Sequence, residues 1–141
     1  MRSRLFIFAL LSLIITSCTK DKTVNTKSYV DLPSNLFGTW NWQYSSGGYA
    51  GVSYTPETTG EVRKIEFDTD NNFKYYVNGL LKSESKFHIE KSISIYGKDS
   101  ALILITNSMS LPQSIRFGHS DTLTLSEEAF DGFGHSYIRI K

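Results

Sequence analysis

From Gly38 onward, apolar and polar residues alternate in short runs that turn-forming residues separate. Alternation puts the apolar side chains on one face of a β-strand, whereas a helix needs apolar residues spaced three and four positions apart. We therefore predict an all-β domain. Its strands are expected over residues 38–45, 62–67, 73–77, 81–89, 92–95, 101–105, 114–118, 122–126 and 137–140.

Two connections between these strands carry specific turn signals. Residues 68–72 are Asp, Thr and Asn, whose side chains favour turns, and Asn78-Gly79 is typical of a two-residue hairpin. The pattern amounts to about eight or nine strands. Short strands joined in this way favour an antiparallel, up-and-down barrel of eight strands, because closure removes the exposed edges of a sheet. Ser126, followed by two glutamates, is expected to cap a helix of one turn at most.

Composition excludes several classes of protein. A length of 141 residues fits one domain, and a formal charge of +1 gives no electrostatic case for a nucleic-acid partner. An aromatic content of 13% is too high for a disordered chain. The single cysteine excludes an intrachain disulfide.

The N-terminal segment has the pattern of an export signal. Arg2 and Arg4 form a basic start, and the apolar run over residues 5–15 is too short to span a bilayer, which takes about 20 residues. The run ends in Ile15-Thr16-Ser17-Cys18, which resembles a bacterial lipobox. The resemblance implies cleavage after residue 17 and acylation of Cys18.

Such an anchor implies a membrane partner without a membrane-spanning helix, because two or more acyl chains hold a protein stably on a bilayer. Thr19 follows the cysteine, in place of the aspartate that retains many lipoproteins at the inner membrane, so the resemblance implies the outer membrane of a cell envelope. We predict a signal peptide over 1–17, a lipidated cysteine and flexible tether over 18–36, and the barrel domain over 37–141.

The two ends of the predicted barrel resemble those of lipocalins and related calycins. Gly38-Thr39-Trp40 matches the Gly-x-Trp motif of their first strand. In that family a basic residue of the last strand packs across the tryptophan and helps to close the barrel base, a role that the resemblance gives to Arg139. Arg139 alternates with Ile138 and Ile140, however, and inward-facing isoleucines would turn it outward. The chain is similar in particular to the small lipocalin-like domains of bacterial lipoproteins.

The resemblance also implies a ligand cavity, for which the aromatic side chains are the candidates. The connection over residues 46–60 corresponds to the lid of a lipocalin, and its glycines and tyrosines suit an adaptable contact surface. Small inward residues, Ser83 and Ser85, would leave room inside the barrel. The candidate ligand-binding residues are Trp42, Tyr44, Tyr49, Tyr54, Phe73, Tyr75, Phe87 and Phe117. The alternative is that the aromatic residues simply fill the barrel.

No catalytic, metal or cofactor site is predicted. Asp68-x-Asp70-x-Asn72 begins like a calcium loop but lacks the glycine and the glutamate that such a loop needs later. His119-Ser120-Asp121 places three catalytic residue types side by side, but neighbours on a strand point to opposite faces. We therefore expect no enzyme.

Two functions remain. The first is an anchored barrel that binds a small hydrophobic or amphipathic ligand. The alternative is an interaction or inhibitor module that binds another envelope protein through an apolar outer patch, expected near Tyr76, Leu102 and Leu104.

Overall fold

The computed structural model describes residues 30–141, which form an all-β domain with a single short helix. The signal peptide, Cys18 and most of the predicted tether lie outside the described residues. The elements are β1 (Gly38–Gly47), β2 (Val52–Tyr54), α1 (Pro56–Thr59), β3 (Arg63–Phe67), β4 (Asn72–Val77), β5 (Leu80–Ile93), β6 (Ser100–Thr106), β7 (Gln113–Phe117), β8 (Thr122–Glu127) and β9 (Phe133–Arg139). No helix among residues 30–141 is long and apolar enough to cross a membrane.

Eight of the strands close into an antiparallel barrel. Their order is β1-β3-β4-β5-β6-β7-β8-β9, and β9 pairs back with β1, where Trp40 stands opposite Arg139. The ninth strand, β2, folds onto the end of β1 as a hairpin in which Gly47 pairs with Val52. The predicted eight-stranded up-and-down barrel is therefore confirmed.

Both predicted turns are present. The Asp68 carboxylate accepts hydrogen bonds from the backbone N–H groups of Asp70 and Asn72 at 3.0 and 2.9 Å, so this aspartate holds a turn. Asn78 and Gly79 have φ of 51° and 80°, which is the pair of left-handed conformations that a type I′ hairpin requires.

Three expected elements differ from the structure. Residues 81–89 and 92–95 were expected as two strands, but the single long strand β5 runs through residue 93 and pairs first with β4 and then with β6. The 46–60 connection contains β2 and the one-turn helix α1, which Thr55 caps by accepting from the backbone N–H of Thr58. The prediction of a short helix at Ser126 is wrong, because Ser126 lies in strand β8 and pairs with Ser114 of β7.

A β-bulge changes the direction of the side chains along β1. Trp42 pairs with Tyr137, but Tyr44 pairs with the next residue of β9, Ser136, so Gln43 is an extra residue. Beyond the bulge Ser45 is buried, and Tyr44, with 49% of its surface exposed, faces outward. Tyr44, a candidate ligand-binding residue, therefore does not share the inward face of the two tryptophans.

One end of the barrel, which we call the closed end, is sealed by the segment before β1. Leu36 is completely buried and Leu32 packs against the core, so the packed domain takes in residues before the boundary expected at 37. The Leu36 carbonyl accepts a hydrogen bond of 2.9 Å from the Trp40 indole. The opposite end, where β1 finishes and β3, β7 and β9 begin, is the open end.

Candidate ligand-binding site at the open end of the barrel

The open end of the barrel contains a recess of about 150 Å³ between strands β1, β3, β4, β7 and β9. We call it the recess. Its walls are mainly aromatic and apolar, and its polar side chains stand among them. The lining residues are Trp42, Phe73, Tyr75, Met109 and Tyr137, with Arg63, Ser108, Gln113 and His135.

Arg63 frames one side of the recess. Its guanidinium carbon lies 4.3 Å from the centre of the Trp42 ring, which is a favourable cation–π distance. The same guanidinium forms an ion pair of 2.7 Å with Glu61, so its charge is locally balanced. Arg63 is the first residue of β3 and shares the inward face of Ile65 and Phe67, which brings a charged group to the barrel mouth.

A chain of hydrogen bonds runs beside the recess. The Trp42 indole donates to Ser45 Oγ at 2.8 Å, and Ser45 Oγ lies 2.7 Å from Nδ1 of His135. Ser45 Oγ accepts from the tryptophan and in addition either donates to Nδ1 or accepts from it, according to the tautomer of His135. Nε2 lies 3.6 Å from Glu127.

His135 is held mainly in its neutral form. Burial lowers the pKa of His135, the Glu127 carboxylate acts in the opposite direction, and the Arg63 charge adds to the lowering. The result is an imidazole that serves as a neutral hydrogen-bonding group at the mouth.

Gln113, one of the residues that line the recess, has a buried side-chain oxygen without a hydrogen-bond partner among the described residues. The residue is only 4% exposed. Its backbone pairs with Leu104 and Glu127 on the flanking strands, so the side chain is held at this level of the barrel. Buried acceptors without a hydrogen-bond partner are uncommon in proteins.

A second depression, which we call the rim groove, adjoins the recess and has a volume of about 280 Å³. It shares Arg63 and His135 with the recess. The Tyr54 and Phe133 rings stand 6.0 Å apart in its wall, and Phe133 stacks on His135 at 6.4 Å. Arg63 and His135 therefore border both depressions.

The structure brings half of the predicted ligand-binding residues to this site. Trp42, Phe73 and Tyr75 line the recess, and Tyr54 lines the rim groove. Burial of its phenol raises the pKa of Tyr75 above the ordinary value, and the nearby Arg63 charge opposes that rise.

The other half lies elsewhere. Phe87 packs edge-on against Phe67 at 5.2 Å in the core, and Phe117 lies 6.5 Å from Trp40 near the closed end. Tyr44 faces outward for the reason given above. Tyr49 stands at the tip of the β1–β2 hairpin with 95% of its surface exposed. These four residues do not line the recess.

The three predicted closure residues meet at the closed end. The Arg139 guanidinium carbon lies 4.1 Å from the centre of the Trp40 ring, and Arg139 donates to the carbonyls of Phe37 and Asn35. The isoleucines beside it are about 42–43% exposed, so the inward face of β9 belongs to Tyr137 and Arg139 and not to the isoleucines. Gly38 has φ of 122°, and a Cβ there would lie 2.9 Å from Arg139.

Sequence reasoning missed the polar residues of the recess. Arg63, Gln113 and His135 each occupy the inward parity of their strand, two residues from Ile65, Ile115 and Tyr137. A polar residue that continues an apolar face near the end of a strand is the signal that would have indicated them, because such a residue reaches a barrel mouth and not its outside.

The room that small serines were expected to leave inside the barrel is partly taken up. Ser108 donates to Ser85 at 2.7 Å, and Ser85 also bonds Thr106, so three hydroxyls tie β5 to the end of β6. Met109, in the same turn, packs against the core. The recess is what remains between this turn and the Trp42 ring.

The apolar outer patch expected near Tyr76, Leu102 and Leu104 is wrong. Leu104 is 1% exposed in the core, and Leu102 packs against it. The Tyr76 hydroxyl donates to Glu66 at 3.4 Å.

A further depression, of about 320 Å³, lies on the outer face beside β6 and β7, next to residues 94–100. Its lining includes four serines, Asp99 and Arg116, and Tyr96 is its aromatic residue. The Tyr96 hydroxyl already donates to the backbone of Glu127 and Ala129. Neither of the buried side-chain acceptors without a partner among residues 30–141, in Asn41 and Gln113, lines this depression. The recess therefore has the stronger claim to a ligand.

The fold and the recess define a closed, eight-stranded antiparallel barrel with an internal site that opens at one end, an architecture compatible with a calycin-like fold. No family model, curated protein or solved structure matches the chain. Within residues 30–141 there is no group of three or more His, Cys, Asp or Glu side chains suited to a metal ion.

Proposed function

We propose that this protein is a lipoprotein of the outer membrane whose lipocalin-like barrel binds a small amphipathic molecule at its open end. The observation that carries the proposal is the recess, in which aromatic walls stand beside a few polar groups. Ligand sites are typically concave, mostly apolar and supplied with a small number of placed polar groups.

The contrast between the two barrel ends supports this assignment. Leu36, Trp40 and Arg139 fill and cover the closed end, while the open end leaves the Trp42 ring beside a hollow. A barrel whose interior only served as a core would be expected to pack both ends alike.

The size of the site restricts the ligand. The recess holds about 150 Å³ and the rim groove about 280 Å³, while pockets for drug-sized ligands run from roughly 300 to 1,000 Å³. A molecule with a compact apolar end in the recess and a polar end beside Arg63 and His135 fits these dimensions.

Two sequence features support the remainder of the proposal. The lipobox-like Ile15-Thr16-Ser17-Cys18 supplies the anchor, and Gly38-Thr39-Trp40 with Arg139 on the last strand supplies the likeness to lipocalins. The stacking of Arg139 on Trp40 is the arrangement that this likeness implies.

Ligand binding is tested by filling the recess. Residues 30–141 hold the whole packed barrel, so the chain from residue 19 to 141 can be purified from its host and measured by native mass spectrometry. We expect a bound small molecule that Ser108→Phe displaces. Ser110→Phe, an exposed position of the same turn, should leave it bound. An unliganded mass for all three proteins would contradict the proposal.

The anchor is tested separately. Cells fed labelled palmitate should label the wild-type chain, and Cys18→Ala should abolish both the label and signal removal. Equal labelling of the two chains would contradict lipidation at Cys18.

A second candidate is an envelope interaction or inhibitor module. It is favoured by Tyr49 and Phe130, which are 95% and 91% exposed on loops at the open end, since large exposed aromatics often serve as interface anchors. Cross-linking in intact cells should then yield a partner adduct that the Tyr49→Ser, Phe130→Ser variant loses. An adduct that survives this double change would count against the candidate.

A further inference from the structure

We propose that the recess holds an uncharged carbonyl group of the ligand, and that the phenol hydroxyl of Tyr137 donates a hydrogen bond to the carbonyl oxygen. The inference rests on the proposed function and names the chemistry of the group that enters the barrel. It separates compact ketones, esters and amides from hydrocarbons of the same shape and from carboxylates.

Tyr137 supplies a hydroxyl that no side chain or backbone group within residues 30–141 bonds. The residue is only 6% exposed and lines the recess. The polar side-chain atoms of this part of the chain that are both without a partner and sealed from solvent belong to Asn41 and Gln113. The Tyr137 hydroxyl is not among them, so it keeps surface that a small molecule can touch.

The position of this hydroxyl follows from its neighbours across the recess. Tyr137 lies on β9 and stands opposite Trp42 of β1. Burial raises the pKa of Tyr137, the Tyr75 phenol adds to the rise, and the Arg63 charge opposes it. Electrostatic effects of this kind act between nearby groups, so the Tyr137 hydroxyl lies close to Tyr75 of β4 and Arg63 of β3. Since all of these residues line the recess, a ligand inside it meets the hydroxyl.

Tyr75 gives the recess a second phenol, whose hydroxyl also makes no hydrogen bond within residues 30–141. Burial raises the pKa of Tyr75 as well, so both phenols carry their protons at neutral pH and can donate. A carbonyl oxygen has two lone pairs and brings no proton of its own. It therefore suits this pair of donors, whereas an alcohol would add a proton that needs an acceptor in addition.

The charges around the recess favour a neutral group. Arg63 directs Nε and Nη2 to the same oxygen of Glu61, so its positive charge already has a counter-ion. A carboxylate would add a second negative charge beside this pair. The burial that raises the pKa of Tyr137 opposes a negative charge on the phenol oxygen, and it opposes one on a ligand atom in contact with that oxygen for the same reason.

The volume of the recess sets the size of the group. A cavity of about 150 Å³ lined by apolar side chains is large enough to hold benzene. Cyclohexanone is a ring of similar size that carries a carbonyl. Methylenecyclohexane has the same shape with a CH₂ group in place of the oxygen, so the two molecules differ in the one feature that the inference concerns.

The test measures how the loss of one hydroxyl changes the binding of these two probes to the chain from residue 19 to 141. Tyr137→Phe deletes the hydroxyl and keeps the ring. We expect it to weaken cyclohexanone binding about five- to tenfold and methylenecyclohexane binding less than about twofold, because only the ketone accepts a hydrogen bond. Dissociation constants come from titrations followed by two-dimensional amide NMR.

A matched variant and a second measurement accompany the titrations. Tyr44→Phe removes the hydroxyl of a tyrosine that faces outward and does not line the recess, so it should leave both dissociation constants unchanged. Thermal unfolding shows that both variants are folded. Infrared spectra of the wild-type complex should show the carbonyl stretch of bound cyclohexanone at a lower frequency than in hexane, because hydrogen bonding weakens the C=O bond.

The possible failures are distinguishable. Equal weakening of both probes by Tyr137→Phe, or a bound carbonyl stretch like that in hexane, would overturn this inference and leave the proposed binding function standing. Tighter binding of cyclohexanecarboxylate than of cyclohexanone at neutral pH would overturn the choice of an uncharged group. If neither probe moves a recess resonance and native mass spectrometry detects no ligand, the proposed function fails together with the inference.

Discussion

Each end of the barrel contains a tryptophan with an arginine stacked on it, but the two pairs are satisfied in different ways. Arg139 lies 4.1 Å from Trp40 at the closed end, and Arg63 lies 4.3 Å from Trp42 at the open end. Both tryptophans are 1% exposed. Burial and stacking therefore do not distinguish the two ends.

The partners do. At the closed end the Trp40 indole and the Arg139 guanidinium donate to backbone carbonyls of residues 35–37, which bring the N-terminal segment across the barrel. At the open end the Trp42 indole and the Arg63 guanidinium bond side chains, those of Ser45 and Glu61. Backbone partners seal an end with a chain segment, whereas side-chain partners leave the space between them accessible.

The largest expected effect separates the two tryptophans. Trp40→Ala should lower the free energy of unfolding by about 3–5 kcal/mol, because it leaves a void beneath a covering segment. Trp42→Ala should cost at least about 1 kcal/mol less, because the space that it vacates joins the recess and water can enter. Urea unfolding of the two variants measures the difference. Equal costs would break the comparison between the ends.

The arginines should differ in the same direction. Arg139→Met strands two carbonyls and loses the stacking, at a cost of about 2 kcal/mol, whereas Arg63→Met should cost about 1 kcal/mol. The two side chains are 22% and 26% exposed, so burial does not explain a difference. Chemical denaturation gives both values, and a larger cost at Arg63 would show that the open end is the more rigidly held.

A glycine pair sharpens the account of the closed end. Gly38→Ala should cost about 2 kcal/mol, because an alanine is strained at φ of 122° and its Cβ would lie 2.9 Å from Arg139. Gly60→Ala, at φ of 68° with open space around it, should cost about 1 kcal/mol. Differential scanning calorimetry compares them. Identical costs would mean that neither the backbone angle of Gly38 nor its contact with Arg139 adds strain beyond that at Gly60.

The smallest expected effect is a pH dependence at the open end. Burial lowers the pKa of His135 in the folded protein, so between that pKa and the ordinary value of 6.5 the unfolded chain binds more protons. The folded state should therefore lose stability as the pH falls from 7.5 to 5.5. His135→Gln should flatten this part of the urea-midpoint profile. A profile that His135→Gln leaves unchanged would show that the histidine does not titrate on unfolding.

The sequence predicted the barrel because strand alternation and turn chemistry act locally. Asn78-Gly79 favours its hairpin turn through the local conformation of these two residues. Trp40 follows the apolar alternation of its own strand. The bulge at Gln43 could not be predicted, since it is set by the pairing of β1 with β9, which are far apart in sequence. That bulge moves Tyr44 outside and Ser45 into the site.

The polar half of the site escaped prediction for a related physical reason. An inward residue such as Gln113 is part of a site only if its strand ends at the mouth, and the level of each strand depends on register around the whole barrel. Leu36 was assigned to the tether because the few apolar residues of that segment, among them Val30 and Leu32, show no helical or strand periodicity. Its burial follows from the Trp40 and Arg139 side chains that bond the adjoining backbone.

The central claim is that a ligand enters the open end and leaves the closed end untouched. The chain contains two tryptophans, so an amide NMR spectrum of the ¹⁵N-labelled protein shows two indole signals, one for each end. On addition of phenol, a small amphipathic probe, we expect the Trp42 indole signal to shift to saturation while the Trp40 signal stays in place. Equal shifts of both signals, or no shift of either, would contradict the account.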